Sequence, residues 1–181
     1  VGTAWLMTSL TMSPFTVSLI QTATTLPIFL VALPAGALAD IVDRRRLLIF
    51  TQVWMLMAAL GLGIVTLAGS VSPIVLLFFV FVLSLGAAIN GPAWQSVIPE
   101  LVSREEMASA VTLGSVGFNI ARAIGPALGG FVVSLVGPGF TFLLNAISFC
   151  GVVVVLKRWR RVPLESTLPA ERLIGAMRTG L

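Results

Sequence analysis

The feature that most constrains this chain is where its charges are missing. Residues 1–39 carry none. After a cluster of Asp40, Asp43, Arg44, Arg45 and Arg46, the 53 residues 47–99 again carry none. A second cluster, Glu100, Arg104, Glu105 and Glu106, precedes the 50 residues 107–156, in which Arg122 is the only charge. A tail opening with Lys157, Arg158, Arg160 and Arg161 follows. A helix crossing a bilayer takes about 20 apolar residues, so each long run holds two crossings. Each run also has helix-breaking chemistry near its middle, Gly69-Ser70-Val71-Ser72-Pro73 in the first and Gly137-Pro138-Gly139 in the second. The opening run breaks at Thr11-Met12-Ser13-Pro14. The expected spans are 1–10 (incomplete), 15–39, 47–68, 74–97, 105–135 and 139–156.

Parity then puts every charged cluster on one side. Ten of the eleven Lys and Arg residues fall in 40–46, 98–106 and 157–181, and the three opposite turns are uncharged. The positive-inside rule makes the charged side cytoplasmic. With 57% hydrophobic and 10% charged residues, against about a quarter charged in soluble domains, too few polar side chains remain for a water-facing surface. The expectation is an all-α integral membrane protein with a transmembrane bundle over 1–156. From 157 a cytoplasmic segment follows, with Leu173, Ile174, Met177 and Leu181 at roughly helical spacing, as in an amphipathic interfacial helix. The net charge of +4 belongs to these loops, so the partners expected are the lipid bilayer and a small molecule, with no nucleic acid. The chain opens on Val1 inside an apolar segment and closes partway through a cytoplasmic one, which reads as a fragment of a longer protein.

Catalysis has little to work with. There is no His, and Cys150 is the single Cys, which excludes His-based triads, His metal sites and Cys-only clusters. No G-x-x-x-x-G-K-[ST] loop is present for direct use of ATP. An integral-membrane enzyme is therefore not expected, and neither a cofactor nor a metal is. Most other singled-out residues read as structural. Ser103 with Glu106 forms a capping box opening the fifth span. Trp54 and Trp94 are expected to pack, Trp159 to anchor at the interface, and Cys150 to be a small core residue. Pro27, Pro34 and Pro92 bend their helices. Asn90, Asn119 and Asn145 each either line a polar cavity or bridge helices.

Two stretches carry more. One is Gly36-Ala37-Leu38-Ala39-Asp40-Ile41-Val42-Asp43-Arg44-Arg45-Arg46. Asp40 sits at a helix C-terminus, where the dipole disfavours an anion by about 0.3–1 kcal/mol. It needs a cation or another helix's N-terminus nearby. Gly36, one turn earlier, lets a neighbouring helix approach. The other is Ala121-Arg122-Ala123-Ile124-Gly125-Pro126-Ala127-Leu128-Gly129-Gly130. Gly125 and Gly129 are spaced for tight helix packing, and Pro126 can kink the helix. Arg122 lies about 25 Å into its span. At that depth an Arg faces the bundle interior or a water-filled cavity, and Asn119, Gly125, Pro126 and Gly129 share its face.

The stretch 36–46 resembles the major facilitator superfamily signature G-x-L-A-D-R-x-G-R-R/K. Gly36, Leu38, Asp40, Arg44 and Arg45 match it, while Ile41 and Asp43 replace the usual Arg and Gly. The stretch 121–130 is similar to the superfamily's antiporter motif G-x-x-x-G-P-x-x-G-G, with Ala121 for the first Gly. Pro92-Ala93-Trp94, Ile98-Pro99-Glu100-Leu101-Val102, Asn119-Ile120-Ala121-Arg122 and Phe142-Leu143-Leu144-Asn145-Ala146 resemble the macrolide-efflux and enterobactin-exporter branch, the transmembrane secretion effectors. The resemblance implies the six-helix N-terminal half of a twelve-helix transporter, with its other half as partner. Gly36, Asp40, Arg44 and Arg45 would form a conformational latch, and Arg122, Gly125, Pro126, Gly129 and Gly130 the antiporter motif. As polar groups inside the spans, Asn90, Asn119, Arg122 and Asn145 are the expected marks of a substrate pathway. The resemblance further implies proton-coupled export of drug- or siderophore-like compounds from a bacterial inner membrane. The spans offer no mid-membrane carboxylate, so protonation would occur elsewhere or coupling would differ. A non-transporting scaffold or receptor with the same fold is the rival reading.

Overall fold

A computed structural model describes residues 1–159, without the side chains of residues 32, 33 and 37–41. The amphipathic stretch expected near 169–181 lies outside these residues. Among the described residues the chain is a set of helices: α1 (Gly2–Leu10), α2 (Pro14–Ile41), α3 (Arg44–Leu67) and α4 (Pro73–Leu101), followed by the helical stretch Met107–Arg158. That last stretch breaks at Gly137, whose φ of 79° and ψ of 170° are non-helical. We call its arms α5 (107–136) and α6 (138–158). Such backbone is close to glycine-only territory, so Gly137 is what lets one chain turn between two helices here.

The boundaries follow local chemistry. Thr11 leaves α1 in an extended conformation, and the Ser13 hydroxyl accepts the Thr16 N–H at 3.4 Å as α2 begins with Pro14. Asp43 caps α3 by accepting the Arg46 N–H at 2.8 Å, an arrangement worth about 1 kcal/mol. Ser72 caps α4 by accepting the Val75 N–H at 3.3 Å, with Pro73 opening the helix. The capping box at Ser103 forms only by half. Glu106 accepts the Ser103 N–H at 3.4 Å, but the Ser103 hydroxyl donates to the same carboxylate at 3.0 Å. It does not accept a helix N–H, and the helix starts at Met107 rather than 105.

Helices of this composition bury small and branched faces against each other and leave large apolar side chains to the bilayer. α2, α3, α4 and the stretch of α5 and α6 are each long and apolar enough to cross a membrane. α3 is the hub, packing on α4 and α6, while α2 packs on α4 and α1 on α5 and α6. At the uncharged end Leu6, Met7, Leu62, Leu76, Val80 and Phe142 form one buried cluster. At the charged end Leu47, Leu48, Ala93, Val97 and Leu156 form another. Close approach depends on missing Cβ atoms. A Cβ on Gly63 would stand 2.7 Å from Leu143 Cδ2, and one on Gly139 2.8 Å from Leu67.

Three packing expectations change. Cys150 is exposed on α6 rather than in the core. Trp54 and Trp94 are 38% and 45% exposed, and Trp54 is tied in through Nε1, which donates to the Val82 carbonyl at 3.0 Å. A Cβ on Gly36 would meet no described atom within 4 Å, so no helix takes up its missing side chain among the described residues. α5 differs from the rest. Every residue from 111 to 128 is exposed, and large apolar ones such as Leu113, Phe118 and Leu128 are among them.

Candidate latch and transport groove

The junction of α2 and α3 carries the sequence Asp43-Arg44-Arg45-Arg46, the cap and first turn of α3, and its residues have different jobs. Asp43, which departs from the superfamily pattern, is the α3 cap. Arg44 reaches across to α4. Its Nη1 donates to Glu100 Oε1 at 2.8 Å and to the Ser96 carbonyl at 3.0 Å. Ser96 and Glu100 are four apart and share a helix face. The Glu100 side chain is only 4% exposed and that of Arg44 29%, so this is a partly desolvated pair rather than a surface contact. Arg45 turns the other way. Its Nε donates to the Leu156 carbonyl at 2.8 Å and its Nη2 to that of Lys157 at 2.7 Å. The last carbonyls of a helix lack intrahelical partners, and a cation there also suits the dipole. One short loop therefore fastens the charged ends of α4 and α6. The side chain of Asp40, the acidic member of the expected latch, lies outside the described residues, so Gly36, Arg44 and Arg45 are the members placed here.

A second polar group lies deeper, between α3 and α4. Thr51 and Gln52 are 1% and 6% exposed. The Thr51 hydroxyl lies 2.9 Å from Asn90 Oδ1 and 3.0 Å from the Leu48 carbonyl, and Gln52 Nε2 donates to Asn90 Oδ1 at 3.4 Å. Gln52 Oε1 is buried without a described partner. Asn90 thus bridges α4 to α3.

The other expected pathway residues stand apart from it. Asn119, Arg122 and Asn145 are all exposed. The Asn119 Nδ2 donates to the Ser115 carbonyl at 2.9 Å. Asn119 also lines a groove of about 670 Å³ between α4 and α5, with Trp94, Gln95, Ser115 and Phe118 among its walls. Arg122 follows Asn119 by three residues, one helical turn along α5. Among the described residues its guanidinium has no carboxylate partner. Gly125 and Gly130 face open space, and Gly129 meets Val1 at an ordinary 3.7 Å. Among the described residues the antiporter-like motif is thus largely uncovered apart from Gly129 against Val1, and no hydrogen bond joins Arg122 to Asn90 or Asn145.

Sequence reasoning passed over Glu100, Asp43, Thr51 and Gln52 as partners. Asp43 carried a usable signal, a capping residue just before an apolar run. Gln52 carried another, an amide inside an uncharged span.

Residues 1–181 match the transmembrane secretion effector family. The chain is 32% identical over 131 residues to the staphyloferrin A transporter of Staphylococcus aureus (strain NCTC 8325 / PS 47), covering 72% of this chain and 32% of that protein. It is 24% identical over 157 residues to the multidrug efflux pump Tap of Mycolicibacterium fortuitum, covering 84% and 38%. Over 144 residues it is 25% identical to the uncharacterized MFS-type transporter YfiS of Bacillus subtilis (strain 168), covering 80% and 33%. It spans about a third of the length of these curated relatives. No solved structure gives a significant match. Its helices, its uncharged spans and this match agree: the chain belongs to the transmembrane secretion effector family of major facilitator transporters, and it is a multi-pass membrane protein.

Proposed function

We propose that this chain is the N-terminal half of a twelve-helix exporter in a bacterial inner membrane, moving bulky amphiphilic compounds by alternating access coupled to proton antiport. The observation that carries this reading is the family match over residues 1–181. Relatives named for staphyloferrin A and for multidrug efflux support a drug- or siderophore-like cargo. The groove between α4 and α5 suits such a cargo, with aromatic walls at Trp94 and Phe118 and amides at Gln95 and Asn119. Arg122, one turn away, would meet an acidic group on the cargo or on the other half. The α2–α3 loop would be the latch, holding the cytoplasmic ends of α4 and α6 as one body while the two halves rock.

The test is efflux by the full-length transporter in everted vesicles. Asp40→Asn keeps the size of the side chain and removes its charge. It is expected to lower transport at least about tenfold with membrane insertion unchanged, as loss of one charged contact worth about 1.4 kcal/mol would. Full transport by Asp40→Asn would reduce the loop to a topology signal. Arg122→Met is expected to abolish efflux at normal expression. A loss of folded protein in proportion to efflux would make Arg122 structural instead.

A further inference from the structure

Arg46 is the third of the arginines that open α3, and among the described residues neither the latch nor the cap uses its side chain. Its N–H goes to Asp43, and its guanidinium is exposed, with no carboxylate partner among the described residues. It sits in the first turn of α3, which holds no acidic residue. The positive end of the helix dipole is there too. Cations gather here, because the Arg45 bonds to the Leu156 and Lys157 carbonyls draw the basic end of α6 against the same corner. Lys157 and Arg158 are both exposed.

What lies one turn deeper is apolar and open. Phe50, Val53 and Met57 follow Arg46 at +4, +7 and +11, so they share its helix face, and they are 58%, 39% and 63% exposed. With Trp54, and with Phe79 and Val82 of α4, they line an open groove of about 320 Å³. The groove thus runs into the membrane from directly beneath an exposed guanidinium. A cation at the interface with an apolar channel leading inward from it has the shape of a phospholipid, phosphate outward and chain inward. Gly63 and Leu67 of α3 meet Leu143 and Gly139 of α6, while Phe50, Val53 and Met57 stay uncovered among the described residues.

We propose that this corner of α3 is a binding site for an anionic phospholipid of the leaflet at the charged-loop end. Arg46 holds the phosphate, Lys157 and Arg158 add positive potential, and one acyl chain lies in the groove of Phe50, Val53, Trp54, Met57, Phe79 and Val82. Trp54 reports directly on that chain.

The full-length transporter, reduced to Trp54 as its single tryptophan, is reconstituted in vesicles containing phosphatidylglycerol or phosphatidylcholine with brominated chains. Bromine quenches only an indole it touches, so a free phosphate or a headgroup held without its chain gives no signal. Brominated phosphatidylglycerol is expected to displace unlabelled phosphatidylcholine with a relative binding constant about fivefold above that of brominated phosphatidylcholine, the worth of one interfacial cation. Arg46→Gln should bring the ratio to one while leaving quenching by brominated phosphatidylcholine intact, which also reports an undisturbed fold. Arg104→Gln, which removes a charge from the α4–α5 loop, should leave the ratio unchanged. Equal quenching by the two lipids, or equal losses in the two variants, would overturn the site in favour of a diffuse surface field.

Discussion

Glu100 shows how much one side chain can carry in this protein. It is nearly buried, and Arg44 Nη1 stands 2.8 Å away. Removing one partner of such a pair leaves a charge without compensation, at a cost of about 3–5 kcal/mol. Glu100→Ala is therefore expected to lower the unfolding midpoint of the full-length transporter in detergent strongly. Arg44→Ala in the same chain should recover part of the loss, because the orphaned charge goes with it. A purely additive double variant would mean the pair is not coupled. The arginines were legible as a cluster in the sequence, but their partners were not. Arg44 and Glu100 are 56 positions apart, and Arg45 and Leu156 are 111. No local pattern connects positions that only packing brings together. Asp43 is the converse case. As a departure from a signature it looked like a loss, whereas its geometry makes it the N-cap of α3.

Helices meet here by omission of side chains, and that part could be read only in outline. GxxxG-like spacings drew attention to Gly125 and Gly129, yet the tight approaches lie at Gly61 against Phe79, Gly63 against Leu143, Gly86 against Met55 and Gly139 against Leu67. Small-residue spacing shows that a face can be approached, not that a partner takes it up. Gly63→Ala would place a methyl 2.7 Å from Leu143 Cδ2. Overpacking of this kind costs about 1–3 kcal/mol. A lower unfolding midpoint is expected, and Leu143→Ala in the same chain should restore it. Failure of that rescue would place the strain elsewhere. Gly137→Ala acts on the backbone instead. Its φ of 79° with ψ of 170° should cost about 1–3 kcal/mol, and no second-site truncation should relieve it.

For the whole molecule, the charge pattern showed where helices should end, because a bilayer forces helices to be apolar along their length and loops to hold the charge. The structure follows that pattern with its turns at Thr11 to Ser13, near Gly69 and at Gly137. The same layout predicts sidedness. Single cysteines at Ser70 and Ser103, in a Cys150→Ser background, should react with impermeant reagent from opposite faces, Ser103 from the cytoplasm. Reaction of both from one face would overturn the span count. The exposed run 111–128 departs from the reading that turned Arg122 and Asn119 towards the bundle interior or a water-filled cavity, because depth along a span does not say which neighbour covers a face. Arg45, finally, has a mechanical side. It grips the Leu156 and Lys157 carbonyls, in the last turn of α6 before the chain leaves at residue 159. A pull on that outgoing segment is transmitted to the loop that starts α3 before it can unwind the end of α6. The tension has a fixed anchor point, and cutting it with Arg45→Ala would let the same pull fray α6 instead.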